Sequence, residues 1–317
     1  MLGSRLDGIS LGIASRVTEF ALHDSHHTRA RLASRFYALG AAFFFSTGGT
    51  AIKLSGLSSW QIAGFRSGLA ALLLWWLVPS WRRWWTPSSL AVGVPFGATL
   101  VLFVTANTLT TAANAIFLQY SAPLYLLLLG PWLLGEPTRR SDLALIALVA
   151  TGMLLFFIGR EATFATAPDP LRGNIIGACA GVTWAFTLLG VRWLARRPDT
   201  VGAGGPAVIA GNALTFAVCL PWALPLPEAT PTDWAVVFYL AVFQIGAAYL
   251  CLLRGIRELR ALEISLLLSI EPVASGLWAW LVHGEIPGSM ALIGCSLIFA
   301  SVLLQALRKD PAGPAVR

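Results

Sequence analysis

The chain has 317 residues, 56% of them hydrophobic and only 12% charged, with a mean hydropathy of +0.72. Soluble domains carry about 25% charged residues, so a water-soluble globule of this size is excluded. The net charge of +7 sits in short connections and the two tails, a pattern that membrane topology explains without nucleic acid.

In chain order, residues 1–35 form a polar tail without an uninterrupted apolar run, and no cleaved signal peptide is expected. A helix needs about 20 apolar residues to cross a hydrocarbon core of about 30 Å. That length fits ten segments: 36–54, 60–79, 89–108, 111–134, 142–159, 173–192, 205–225, 234–253, 261–282 and 288–307. The alternating ten-residue pattern of a membrane barrel is absent, so an all-α membrane protein of ten transmembrane helices is predicted. The connections are short and rich in Gly, Pro, Ser and Thr, and only 160–172 and 193–204 are long enough to be loops.

Orientation follows from the basic residues. With the N-terminus inside, 18 of the 22 Lys and Arg residues fall on the cytoplasmic side, and Lys53, Arg160 and Arg172 fall outside. Arg66 lies within the second span. Such a bias predicts both termini in the cytoplasm of an inner-membrane, multi-pass protein. The four cysteines, Cys179, Cys219, Cys251 and Cys295, fall inside apolar runs and contain no CxxC pair. They read as buried thiols, with no metal or cofactor implied.

Two phrases repeat at an offset of 149 residues: YSAPLYLLLLGPWLLGEP at 120–137 and SIEPVASGLWAWLVHGEIP at 269–287. Pro123 meets Pro272, Gly135 meets Gly284, and Glu136 meets Glu285, with 13 residues from proline to glutamate in each copy. The copies are spans four and nine. Five spans separate them, so they cross the membrane in opposite directions. This predicts two inverted five-helix repeats, 36–159 and 173–307, around a central cavity, with residues 160–172 as a periplasmic linker and 308–317 as a cytoplasmic tail.

Ten spans in two halves, each with a P…GE turn and a closing helix, resemble the EamA-like branch of the drug/metabolite transporter superfamily. STGGTAIK closing span one, FRSGLAALLL in span two and GVTWAFTLLGVRW in span six carry the same resemblance. The resemblance implies a basket of helices that exports amino acids, other metabolites or drugs without ATP. Within the family, it looks like the exporters of aromatic and neutral amino acids.

Ionisable residues inside a membrane mark functional sites by default. Glu271 is the leading one, because it lies near mid-depth beside Pro272, which leaves a backbone carbonyl free one turn earlier. It is the expected proton-coupling group; its counterpart in span four is Ala122. Arg66 is expected to gate the path or hold helix ends together, whereas Lys53 is expected to snorkel to the interface. Asn114, Gln119 and Tyr120 in span four, Trp184 in span six, and Tyr239 and Gln244 in span eight are the expected substrate-binding residues. Interhelical hydrogen bonding is the plainer role for the amides among them. Pro123 and Pro272 are structural kinks, and Glu136 and Glu285 are expected to cap the helices that follow them.

An enzyme is not expected, since HExxH, GxSxG, a Walker loop and a membrane-depth histidine cluster are all missing. The expected function is secondary export of small metabolites, chiefly amino acids, by alternating access. The alternatives are proton-driven efflux of drugs or cationic compounds, and a passive metabolite channel. The expected partners are a small-molecule substrate and the lipid bilayer, with the chain acting as a monomer or weak homo-oligomer.

Overall fold

The computed structural model describes residues 32–83, 85–134, 140–158, 165–195, 197–200, 202–226, 228–255, 267–268 and 270–307. Most of the two tails, the Gly135–Glu136 turn and nearly all of 256–269 therefore lie outside the described residues. The Pro123 side chain does too. What is described is all-helical, with short links.

The helices begin where side chains can accept the otherwise unpaired first N–H groups. After α1 (32–46) and the short α2 (Gly48–Ile52), α3 (Ser59–Leu77) starts in a capping box. Ser58 Oγ accepts from Gln61 N at 3.3 Å, and Gln61 Oε1 accepts from Ser58 N at 2.9 Å. A one-turn 3₁₀ stretch, Pro79–Arg83, leads to α4 (Pro87–Leu109), where Thr86 and Ser89 form a second box and Pro87 needs no N–H partner. Next come α5 (Ala112–Gln119), α6 (Ala122–Leu134), α7 (Arg140–Ile158), α8 (Pro170–Ala195) and α9 (Gly204–Ala223). Thr230 and Asp233 box the start of α10 (Pro231–Tyr239). A π-helical stretch, Leu240–Ala247, joins it to α11 (Ala248–Gly255), and α12 (Ile270–His283) and α13 (Ser289–Leu307) close the fold.

Several expected spans are not continuous helices. Span one breaks at Thr47 and span four at Tyr120–Ser121, while span eight widens into the π-helical stretch. Among the described residues, four helices are long and apolar enough to cross a membrane: Pro87–Leu109, Pro170–Val191, Gly204–Ala223 and Pro231–Leu252.

Three equivalent pairs of helices from the two halves pack together, α3 on α9, α5 on α12 and α7 on α13, while α4 packs on both α8 and α9. Glycine makes the closest approaches possible. A Cβ on Gly152 of α7 would stand 2.9 Å from the Gly294 carbonyl oxygen of α13, and one on Gly294 would stand 2.7 Å from that of Gly152. Backbone contact of this kind is how membrane helices associate where no water drives them together. Outward, the bundle shows large apolar side chains, with Trp132 89% and Trp76 76% exposed. Lipid suits such a surface and water does not.

Candidate functional site

Two polar clusters lie inside this apolar shell, both joining the two halves of the chain. The first is at the break in span four. Tyr120 caps the C-terminus of α5, and its hydroxyl donates to Glu271 Oε2 at 2.8 Å, in the first turn of α12. The same hydroxyl stands 3.4 Å from the carbonyl oxygen of Leu268. Pro272 has no N–H to offer that carbonyl, which lies four residues earlier. The carbonyl expected to be free is therefore the one facing Tyr120. Gln119 ends α5 with Oε1 buried and without a hydrogen-bond partner.

Arg66 extends this interior on α3. It is 1% exposed, so it does not reach an interface. Its Nη1 donates to Gln244 Oε1 at 3.0 Å, and its Nη2 to the Leu100 carbonyl at 3.4 Å. Gln244 sits in the π-helical stretch, where the wider turn re-aims a side chain, a feature frequent at functional sites. Tyr249 lies two residues past the π-helical stretch, in α11. Its ring meets Phe45 and Phe96 edge-on at 5.3 and 6.0 Å, and Phe96 reaches Trp184 at 6.4 Å. Aromatic faces and edges thus cluster around Tyr249, an arrangement suited to a ring-bearing molecule.

The second cluster occupies the end of the bundle expected to face outward. Lys53 Nζ pairs with Glu285 Oε1 at 2.8 Å, and both side chains are buried, at 2% and 1% exposure. The ammonium also donates to the Thr110 carbonyl at 2.7 Å and to that of Thr166. Glu285 Oε1 accepts from the Thr166 hydroxyl at 2.6 Å, and Oε2 accepts from Ala112 N at 2.9 Å. Two expectations are corrected here. Lys53 does not snorkel, because a buried carboxylate and two carbonyls satisfy it inside. Glu285 does stabilise a helix N-terminus, but that of α5, far back in the chain, and not that of the helix following it. Gly284 makes this possible: with φ at +66° it ends α12 in the left-handed conformation and turns Glu285 inward.

The remaining expected residues separate. Asn114 joins the second cluster, its Nδ2 donating to Asn174 Oδ1 at 3.2 Å and Thr110 Oγ1 at 3.3 Å. Asn174 in turn donates to the Phe156 carbonyl at 3.0 Å, so Asn114 lies in a seam between helices and not beside Glu271. Tyr239 donates to Thr47 Oγ1 at 2.8 Å, at the break in span one. It borders a side groove of about 390 Å³, with Thr50, Leu54, Trp278 and Val282. A larger groove, about 780 Å³, runs between α3, α9 and α10 past Phe65, Leu69, Phe216 and Phe238, away from the polar interior. Glu136 lies outside the described residues. Sequence reasoning missed Thr110, Thr166 and Asn174, whereas Tyr249 was visible as an uncharged polar side chain within span eight. For Lys53, a charge closing an apolar run was the available signal.

An apolar exterior with polar side chains held inside, joining the two halves of the chain, defines a membrane-embedded, multi-pass protein. The chain belongs to the EamA-like transporter family, which matches residues 33–158 and again 171–307. An "Uncharacterized transporter" of Methanothermobacter thermautotrophicus is 23% identical over 210 residues, 63% of this chain and 60% of that protein. Another "Uncharacterized transporter", from Archaeoglobus fulgidus, is 25% identical over 207 residues, 65% of this chain and 71% of that one. A solved structure described as "Crystal structure of protein" superposes with a TM-score of 0.56 at 21% identity. It covers 86% of this chain and 96% of its own, a likeness of fold.

Proposed function

We propose that the chain is a secondary exporter of small metabolites, chiefly aromatic and neutral amino acids, working by alternating access. In this reading ten spans cross an inner membrane with both termini in the cytoplasm. They form two inverted five-helix repeats, 36–159 and 173–307, joined by a periplasmic linker at 160–172. Substrate sits between the repeats near Tyr120, Gln119, Trp184 and Gln244, and Glu271 carries the coupled proton. Tyr239 lines the route beside the break in span one. Asn114 reaches the substrate path only if its seam opens.

One observation carries the reading: the Tyr120 hydroxyl, at the break in span four, meets the Glu271 carboxylate, beside Pro272 in the other repeat, at 2.8 Å. Among the described residues a carboxylate there has one neutral partner, and it can gain or lose a proton as the two repeats move. Aromatic rings and one amide line the space beside it, which suits a zwitterion with a ring better than a multiply charged ester.

The test uses the full chain in proteoliposomes and labelled L-phenylalanine. Wild-type protein is expected to concentrate the label against a pH gradient and to exchange it at equal concentrations. Glu271→Gln is expected to keep the exchange and lose the gradient-driven part. If Glu271→Gln responds to the gradient as wild type does, Glu271 is not the proton carrier. If no amino acid moves but a quaternary-amine dye does, drug efflux replaces amino-acid export.

A further inference from the structure

The buried cation at Arg66 is not explained by proton coupling. No described carboxylate lies within ion-pair distance, and its partners among the described residues are neutral: the Gln244 amide and the Leu100 carbonyl. A guanidinium carries five N–H donors, and these two hydrogen bonds leave most of them unused. Its Nε is buried and unpartnered. Lys53, by contrast, has Glu285 at 2.8 Å. A fixed, fully desolvated cation without a counter-ion is costly in a membrane. It persists where an anion arrives to balance it.

We propose that Arg66 is the receptor for a carboxylate on the transported molecule, with the Gln244 amide oxygen occupying part of that position when the carboxylate is elsewhere. An amide oxygen and a carboxylate oxygen accept from the same N–H, but only the second brings charge and can accept two donors in parallel. Gln244 is built to yield. It rides on the π-helical turn and lies against Gly48, where a Cβ would stand 2.9 Å from its Nε2. Glu271, which accepts from Tyr120, is then left to face the other end of the substrate. The assignment rests on this interior being the substrate site. It makes a carboxylate, more than a ring, the feature that substrates share.

Binding to the purified, full-length protein tests it with three probes: L-phenylalanine, 3-phenylpropionate, which lacks the amine, and 2-phenylethylamine, which lacks the carboxylate. Ligand-induced shifts in thermal unfolding give each affinity without requiring transport. Wild type is expected to bind both carboxylates. Arg66→Gln is expected to weaken both by at least tenfold and to leave 2-phenylethylamine within twofold. Should Arg66→Gln fail to fold, Gln244→Glu reads the same property. It places a carboxylate against Nη1 and is expected to cost carboxylate probes at least tenfold. The proposal is overturned if wild type binds only the amine, or if either folded variant binds the carboxylates as wild type does. Binding of 3-phenylpropionate but not of phenylalanine would retain Arg66 as the receptor and refute amino-acid export.

Discussion

Removing the ammonium of Lys53 would leave the Glu285 carboxylate buried, with only Ala112 N–H and the Thr166 hydroxyl as donors. An ion pair this deeply buried is not screened by solvent, and loss of one partner costs about 3–5 kcal/mol. Lys53→Ala should therefore lower the thermal midpoint of the detergent-solubilised protein sharply. Lys53→Ala with Glu285→Ala should destabilise it no further than Lys53→Ala alone, because the uncompensated charge is gone. Additive losses in that cycle would mean that the two residues act independently. The same pair shows where reading the sequence stops. Lys53 and Glu285 were visible as charges at the ends of apolar runs, but their partnership spans most of the chain. A first-turn glutamate looks like a cap for its own helix, because local patterns reveal only local acceptors and donors. Thr111, which does cap α5 through Asn114 N at 3.2 Å, was locally legible in type but leaves Ala112 N–H for a distant group. Glu271 beside Pro272 was legible as a site because both oddities fell on adjacent residues; that Tyr120 answers both was not.

Helix breaks do the work at the next scale up. An eight-residue helix spans about 12 Å, and α5 is tied at both ends to the α12 segment. Glu285 accepts its first N–H, and Glu271 accepts from the tyrosine that ends it. Such a strut transmits movement between the two clusters. The positions of the spans could be read from apolar length, but not the break at Tyr120–Ser121 or the π-helical turn. A change of one residue per turn leaves hydrophobicity untouched when every face is apolar. Pro272→Ala tests whether the Leu268 carbonyl left without an N–H is used. It would supply the N–H that the Leu268 carbonyl lacks, drawing that carbonyl away from Tyr120 and into the helix. The expected result is unchanged or higher thermal stability, with transport slowed at least tenfold in proteoliposomes. Wild-type transport by a stably folded Pro272→Ala protein would show the free carbonyl to be incidental.

For the molecule as a whole, the Lys53–Glu285 cluster closes one end by holding the end of span one, the start of α5 and the turn after α12 together. In the alternating-access cycle proposed above, those elements would part whenever that end opened, and the ion pair would then bias the population toward the closed arrangement. Because about 1.4 kcal/mol is a tenfold change in an equilibrium, losing even part of it moves the balance by one or two orders of magnitude. Ala112, fully buried and bonded through its backbone, reports on this directly. In a background without Cys179, the exposed native thiol, Ala112→Cys should react slowly with a membrane-impermeant maleimide added from outside. Adding Glu285→Gln should speed the reaction at least tenfold, since the amide keeps a hydrogen-bonding oxygen but loses the charge that attracts Lys53. Reaction from the cytoplasmic side alone would reverse the orientation drawn from the basic residues. Equal slow rates in both proteins would mean that the end stays shut without the ion pair, and that the barrier lies in the packing of α5 against α12.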